Sequence, residues 1–107
     1  MATAEELYED LVSEHLARPG VRMGRMFNSE GLQVRGRVYA FYARSRGRVV
    51  VKLPAPRAAA LVEDGTAEEM RMGGRRMREW VGLAQPDEET WRHLLGEAAA
   101  YGEELAG

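Results

Sequence analysis

The sequence predicts a two-layer α+β domain in which helices cover one face of an antiparallel sheet. The expected order is α, three or four strands, a short α, two strands, α. Three observations carry that prediction. The apolar period is helical at both ends of the chain and two in the middle. The strand-like segments are joined by turns of a few residues, too short for a parallel crossover. Finally, 107 residues, 45% hydrophobic and 30% charged, suffice for one buried core but not two. A single domain over residues 1–107 is expected.

Thr3 followed by Glu6 has the spacing of a capping box. Leu7, Leu11, Val12 and Leu16 then recur at helical spacing until Pro19-Gly20 stops the run, which predicts a helix over 4–17. A strand is expected around Arg22–Phe27, turned by Asn28-Ser29 and Glu30-Gly31. Leu32 and Val34 alternate with Gln33 and Arg35, and Gly36 turns the chain into the β-branched and aromatic run Val38–Ala43. Ser45-Arg46-Gly47 makes the next turn, and Val49, Val51 and Leu53 alternate with Arg48, Val50 and Lys52.

Pro54 and Pro56 bar a continuing strand, while Pro56 suits the first turn of a helix over Arg57–Glu63. Met70 and Met72 lead into Gly73-Gly74, and Met77, Val81 and Leu83 alternate with Arg78, Trp80 and Gly82, predicting a second hairpin. In that register Glu79 shares a face with Met77 and Val81, which is a conflict. Asp87 is the expected N-cap of the last helix. Its stripe is Trp91, Leu94, Leu95, Ala98, Tyr101 and Leu105.

The formal net charge of −2 conceals a segregation. Residues 1–17 hold five acids and no base, whereas residues 18–57 hold ten bases and one acid, Glu30. Lys52 is the lone lysine among the fifteen bases; a GC-rich genome alone produces such an arginine bias. The bases Arg22, Arg35, Arg37, Arg44, Arg46, Arg48 and Lys52 cluster in the strands and their turns. Three readings fit that stripe: pairing with the acidic helices, docking on an acidic protein, or contact with nucleic acid. Tyr39 and Phe41, two apart on one strand, would form the stacking pair an RNA-binding sheet uses. The net charge disfavours nucleic acid.

Catalytic chemistry is poorly supplied. The absence of cysteine excludes disulfides and thiolate sites. His15 and His93 lie inside predicted helices, where a histidine facing solvent or half-packed is the ordinary case. Ser13, Ser29 and Ser45 lack a nucleophile-elbow context. No histidine pair has metal-ligand spacing, and Gly73-Gly74 reads as a hairpin turn rather than a phosphate cradle. The methionines of the strands most simply fill the core. No catalytic, cofactor or metal site is therefore expected. The acidic N-terminus is unlike a signal peptide and no apolar run spans a bilayer, so a cytoplasmic, non-membrane protein is expected.

Arg25-Met26-Phe27-Asn28, Gly31-Leu32, Gly36, Val38-Tyr39-Ala40, Lys52-Leu53, Leu61-Val62, Gly65 and Met77-Arg78-Glu79-Trp80-Val81 together resemble the N-terminal domain of the TfoX/Sxy competence regulators. The final Trp91, Ala98 and Tyr101 resemble that domain's terminal helix, so the likeness spans essentially the whole chain. Asn28 stands where the family pattern has glycine. The resemblance implies a two-layer α/β fold with an antiparallel sheet and a regulatory, non-enzymatic role. In two-domain members the output also involves a helical C-terminal domain. Arg25 and Lys52 match the family pattern. With Arg35, Arg37 and Arg48 they are the candidate partner-binding residues for an acidic surface, nucleic acid being the alternative partner. A homodimer is expected because exposed antiparallel edges are readily paired.

Overall fold

The computed structural model describes residues 3–26 and 29–107. Helix α1 (Ala4–Leu16) begins as its capping box requires: the Thr3 hydroxyl accepts from the Glu6 amide, and Glu6 accepts from the Thr3 amide at 2.9 Å. Arg18-Pro19-Gly20 then turns the chain, with Gly20 at a positive φ of 78° and the Val21 amide donating to the Arg18 carbonyl. Strands β1 (Val21–Met26), β2 (Ser29–Val34), β3 (Arg37–Ala43) and β4 (Arg48–Lys52) follow as an antiparallel meander. The expected Phe27 end of β1 and the Asn28 turn lie outside the described residues.

Two residues, Arg35 and Gly36, connect β2 to β3, both at positive φ (51° and 83°). That is the backbone of a type I′ turn, whose twist matches the flanking strands. Gly73 and Gly74 (59° and 82°) make the same turn between β5 (Glu68–Met72) and β6 (Arg75–Leu83).

Helix α2 (Ala55–Glu63) starts two residues before the expected Arg57, because Pro56 is accommodated inside its first turn. It carries the chain from β4 to β5, and β6 then returns between them, giving the order β1-β2-β3-β4-β6-β5. All neighbours are antiparallel, so β4 and β5 run parallel with β6 in the gap. Helix α3 (Glu88–Ala106) closes the fold, with the Asp87 carboxylate accepting from the Thr90 amide at 3.1 Å.

The helices pack on one face of the sheet. The core joins Leu7, Tyr8 and Leu11 of α1, Ala58 and Leu61 of α2, and Trp91, Leu94, Leu95, Ala98 and Ala99 of α3. Against them lie Leu32, Val34, Tyr39, Val49, Val51, Leu53, Val81 and Leu83 of the strands. Charged pairs tie the helices together at the surface: Arg92 makes a fork onto Glu14 of α1 at 3.1 and 2.7 Å, and Arg57 of α2 makes one onto Glu97 of α3 at 3.0 and 3.1 Å.

The apolar stripe of α3 rotates away from its expected course in the last turn. Leu105 is 37% exposed and Tyr101 half-buried, while Gly102 faces the sheet. A Cβ on Gly102 would stand 2.8 Å from a Val34 methyl, so its absence is what lets the helix end approach β2 and β3.

Candidate interaction surface

No helix among the described residues covers the opposite face of the sheet, and the strand registers determine what that face presents. Gly24, Gly31, Phe41, Val50, Gly82 and Glu68 are successive cross-strand partners, forming one row across all six strands. Neighbouring side chains lie flat over the glycines: Gln33 over Gly24, Val38 and Phe41 against Gly31, Met70 and the Arg48 stem over Gly82. Val50 is fully buried although it is outside the main core, so this face seals itself without a second layer.

Phe41 and Trp80 meet here in a tilted pair with centroids 5.6 Å apart, and the Lys52 ammonium stands 5.2 Å from the Trp80 ring. Tilted rings place the positive edge of one against the negative face of the other, and the cation adds to the same quadrupole. A shallow depression of about 310 Å³ beside them is lined by Arg46, Arg48, Glu68, Glu69, Met70 and Gly82.

Tyr39 does not join Phe41. Pairing steps from Leu32↔Ala40 to Gln33↔Val38, so Tyr39 is the extra residue of a β-bulge in β3. The bulge turns Tyr39 inward beneath the helices, where its hydroxyl lies 2.7 Å from Nδ1 of His15. The partner of Phe41 is Trp80, fully thirty-nine positions on in the sequence, which period-two reading of one strand could not find.

His15 is likewise buried, at 3% exposure, rather than solvent-facing. Burial, with some help from the Arg18 charge, pushes its pKa down to about 4, against a smaller opposing effect of Glu14. Burial pushes the Tyr39 hydroxyl up, so the pair is neutral around pH 7.

The five candidate residues fall in three places. Arg48 and Lys52 stand on the open face at the two ends of β4, and both are engaged: Arg48 with Glu68 across the sheet, Lys52 with Glu79 at 3.6 Å. Arg35 lies in the β2–β3 turn at the end of the sheet and Arg37 opens β3 just after it, both exposed. The Arg35 amide donates to the Gly20 carbonyl at 3.2 Å, which brings the Arg18-Pro19-Gly20 turn alongside. Arg25 is opposite Glu30 in the β1–β2 register and, by alternation from Gly24, points to the other side of the sheet. Of the strand and turn bases, Arg44 reaches the acidic α1, at 3.8 Å from Glu5; Arg48 and Lys52 pair with acids of β5 and β6.

The Glu79 conflict resolves at a second irregularity. Pairing steps from Glu69↔Val81 to Met70↔Met77, leaving Arg78, Glu79 and Trp80 without partners on β5. There Glu79 is half-exposed and accepts from the Tyr101 hydroxyl of α3 at 2.6 Å while Lys52 approaches its other oxygen. That contact holds the Tyr101 hydroxyl above its ordinary pKa.

Among the described residues no three His, Cys, Asp or Glu side chains are grouped to hold a metal ion, and no helix is long and apolar enough to cross a membrane. Compared with protein-family models, curated proteins and solved structures, the chain matches none.

Proposed function

We propose that this chain is a non-enzymatic, cytoplasmic regulatory module, resembling the N-terminal domain of the TfoX/Sxy regulators, that docks on an acidic protein surface. The docking surface is the uncovered face of the sheet with the basic turns at its rim. One observation carries the reading: the sheet is one-sided, and its open side sets Arg22, Arg48 and Lys52 around the tilted Phe41–Trp80 pair, with Arg35 and Arg37 at the end of the sheet. Arginine forks take carboxylates in two-point contacts, and the aromatic pair supplies the desolvated centre that strong contacts need.

The test is fluorescence anisotropy of a labelled polyglutamate peptide titrated with the protein at low and physiological salt. Binding that weakens with salt, and falls at least about tenfold when Arg35, Arg37 and Arg48 are all changed to Glu, is the expected result. No binding at low salt, or an unchanged triple variant, overturns it.

A second reading, a single-stranded nucleic acid partner, is favoured specifically by the Phe41–Trp80 pair beside Lys52. Stacking on such rings contributes about 1–3 kcal/mol per base. Labelled single-stranded DNA and RNA distinguish it: binding with a steep salt slope that Trp80→Ala weakens at least about fivefold selects nucleic acid over acidic protein.

A further inference from the structure

Among the described residues β1 and β5 are the edge strands of the sheet, and they differ in what they can pair with. An exposed edge strand is a template for another strand, and charged side chains ordinarily guard it. The charges of β5, Glu68-Glu69-Met70-Arg71-Met72, guard it against most sequences but not against itself. Laid antiparallel on a second copy about a two-fold axis at Met70, Glu69 of each strand faces Arg71 of the other. β1, Val21-Arg22-Met23-Gly24-Arg25-Met26, offers no such match: its two charged residues, Arg22 and Arg25, are both basic, so no register of β1 on itself opposes unlike charges.

The backbone agrees with the charge pattern. Met72 and Arg75 close a two-residue turn, which makes them a hydrogen-bonded pair aimed at each other. By alternation Met70 also aims its backbone groups at β6, and Glu69 and Arg71 aim theirs outward. The residues whose charges match across the two-fold are thus the ones whose N–H and C=O groups are free to make the ladder.

At present Glu69 answers both Arg71 and Arg76, at 3.1 and 3.2 Å, so three side chains are already gathered at this edge. Met72, at 48% exposure the most exposed of the large apolar side chains among the described residues, lies on the same strand. We propose that β5 pairs antiparallel with β5 of a second copy, centred on Met70, joining the two sheets into one of twelve strands. The interface is isologous and closed by the two-fold, so assembly stops at the dimer. It uses an edge distinct from the turns carrying Arg35 and Arg37.

Sedimentation equilibrium of the full chain over a concentration series reads the association directly. A dimer is expected, with Glu69→Arg and Arg71→Glu each weakening it at least about tenfold, since the symmetry turns two attractive cross-strand pairs into two repulsive ones. The double variant Glu69→Arg/Arg71→Glu restores the charge match and brings the constant back within about threefold. Because the protein has no cysteine, Met70→Cys adds a register test. Directly opposed non-hydrogen-bonded residues have Cα atoms about 4.5 Å apart, within disulfide range, so mild oxidation yields a cross-linked dimer. A monomer at every concentration, a ladder of open-ended oligomers, single variants that dimerise like the parent, or a double variant that fails to recover overturns the proposal. So does a Met70→Cys protein that stays uncross-linked under oxidation. Circular dichroism of each variant separates these results from misfolding.

Discussion

His15 and Tyr39 make the residue scale concrete. A histidine buried neutral against a tyrosine hydroxyl must shed its proton to fold, and its pKa falls from an ordinary 6.5 to about 4. Between those values the unfolded chain binds more protons than the folded one, so stability rises with pH across that window. The contribution is complete above about pH 6.5 and lost as pH falls through 4, a loss on the order of 3 kcal/mol. Urea unfolding at a series of pH values shows this slope, and His15→Gln flattens it. Tyr8 is the opposite case. Its hydroxyl is buried with no hydrogen-bond partner among the described residues while its ring stacks on Tyr42 at 5.9 Å, and burial pushes its pKa up to about 12. Tyr8→Phe keeps the stack and removes the orphan, so its unfolding midpoint stays equal to or above the parent's, a gain of up to about 1 kcal/mol.

At the scale of elements, the alternations and caps of the sequence locate the described helices and strands; the break at Tyr39 leaves no local sign, whereas the one near Glu79 shows as a conflict of register. Thr3, Asp87 and the paired turn glycines act through backbone groups a few residues away, so their effect is legible locally. The bulge at Tyr39 answers to Gln33 and to the helix above it, which lie elsewhere in the chain. Gly102 illustrates the same limit, because in sequence it is only a weak helix residue. In the fold it lies directly against Val34 of β2, and Gly102→Ala drives a methyl to 2.8 Å from that rigid β-branched side chain. Overpacking costs about 1–3 kcal/mol and the helix regains roughly 1, so a net loss of about 1 kcal/mol is expected in chemical denaturation.

At the scale of the molecule, ion pairs lie on both sides of a one-sided sheet, Arg92–Glu14 and Arg57–Glu97 in the helical layer and Arg48–Glu68 on the open face. Forks from Arg92 and Arg57 hold the helical layer together, and the hairpin turns keep their charges outward. The Arg35–Arg37 turn and the β5 edge are separate places in this arrangement, so changes at them should act independently. Arg35→Glu/Arg37→Glu is expected to leave the self-association constant within about threefold, and Glu69→Arg/Arg71→Glu to leave anion binding within the same factor. Sedimentation and anisotropy on the same two proteins check both halves.

The sequence by itself determined the order α, three or four strands, a short α, two strands, α, because periodicity, capping and turn chemistry act over a few residues. It also placed the bases in strands and turns. The tertiary structure alone decided that β6 enters between β4 and β5, that Tyr39 turns inward, that Phe41 meets Trp80, and that Lys52 stands over Trp80. Those outcomes rest on pairing between distant segments and on which side of the sheet three helices bury, and neither is encoded in any one stretch of chain.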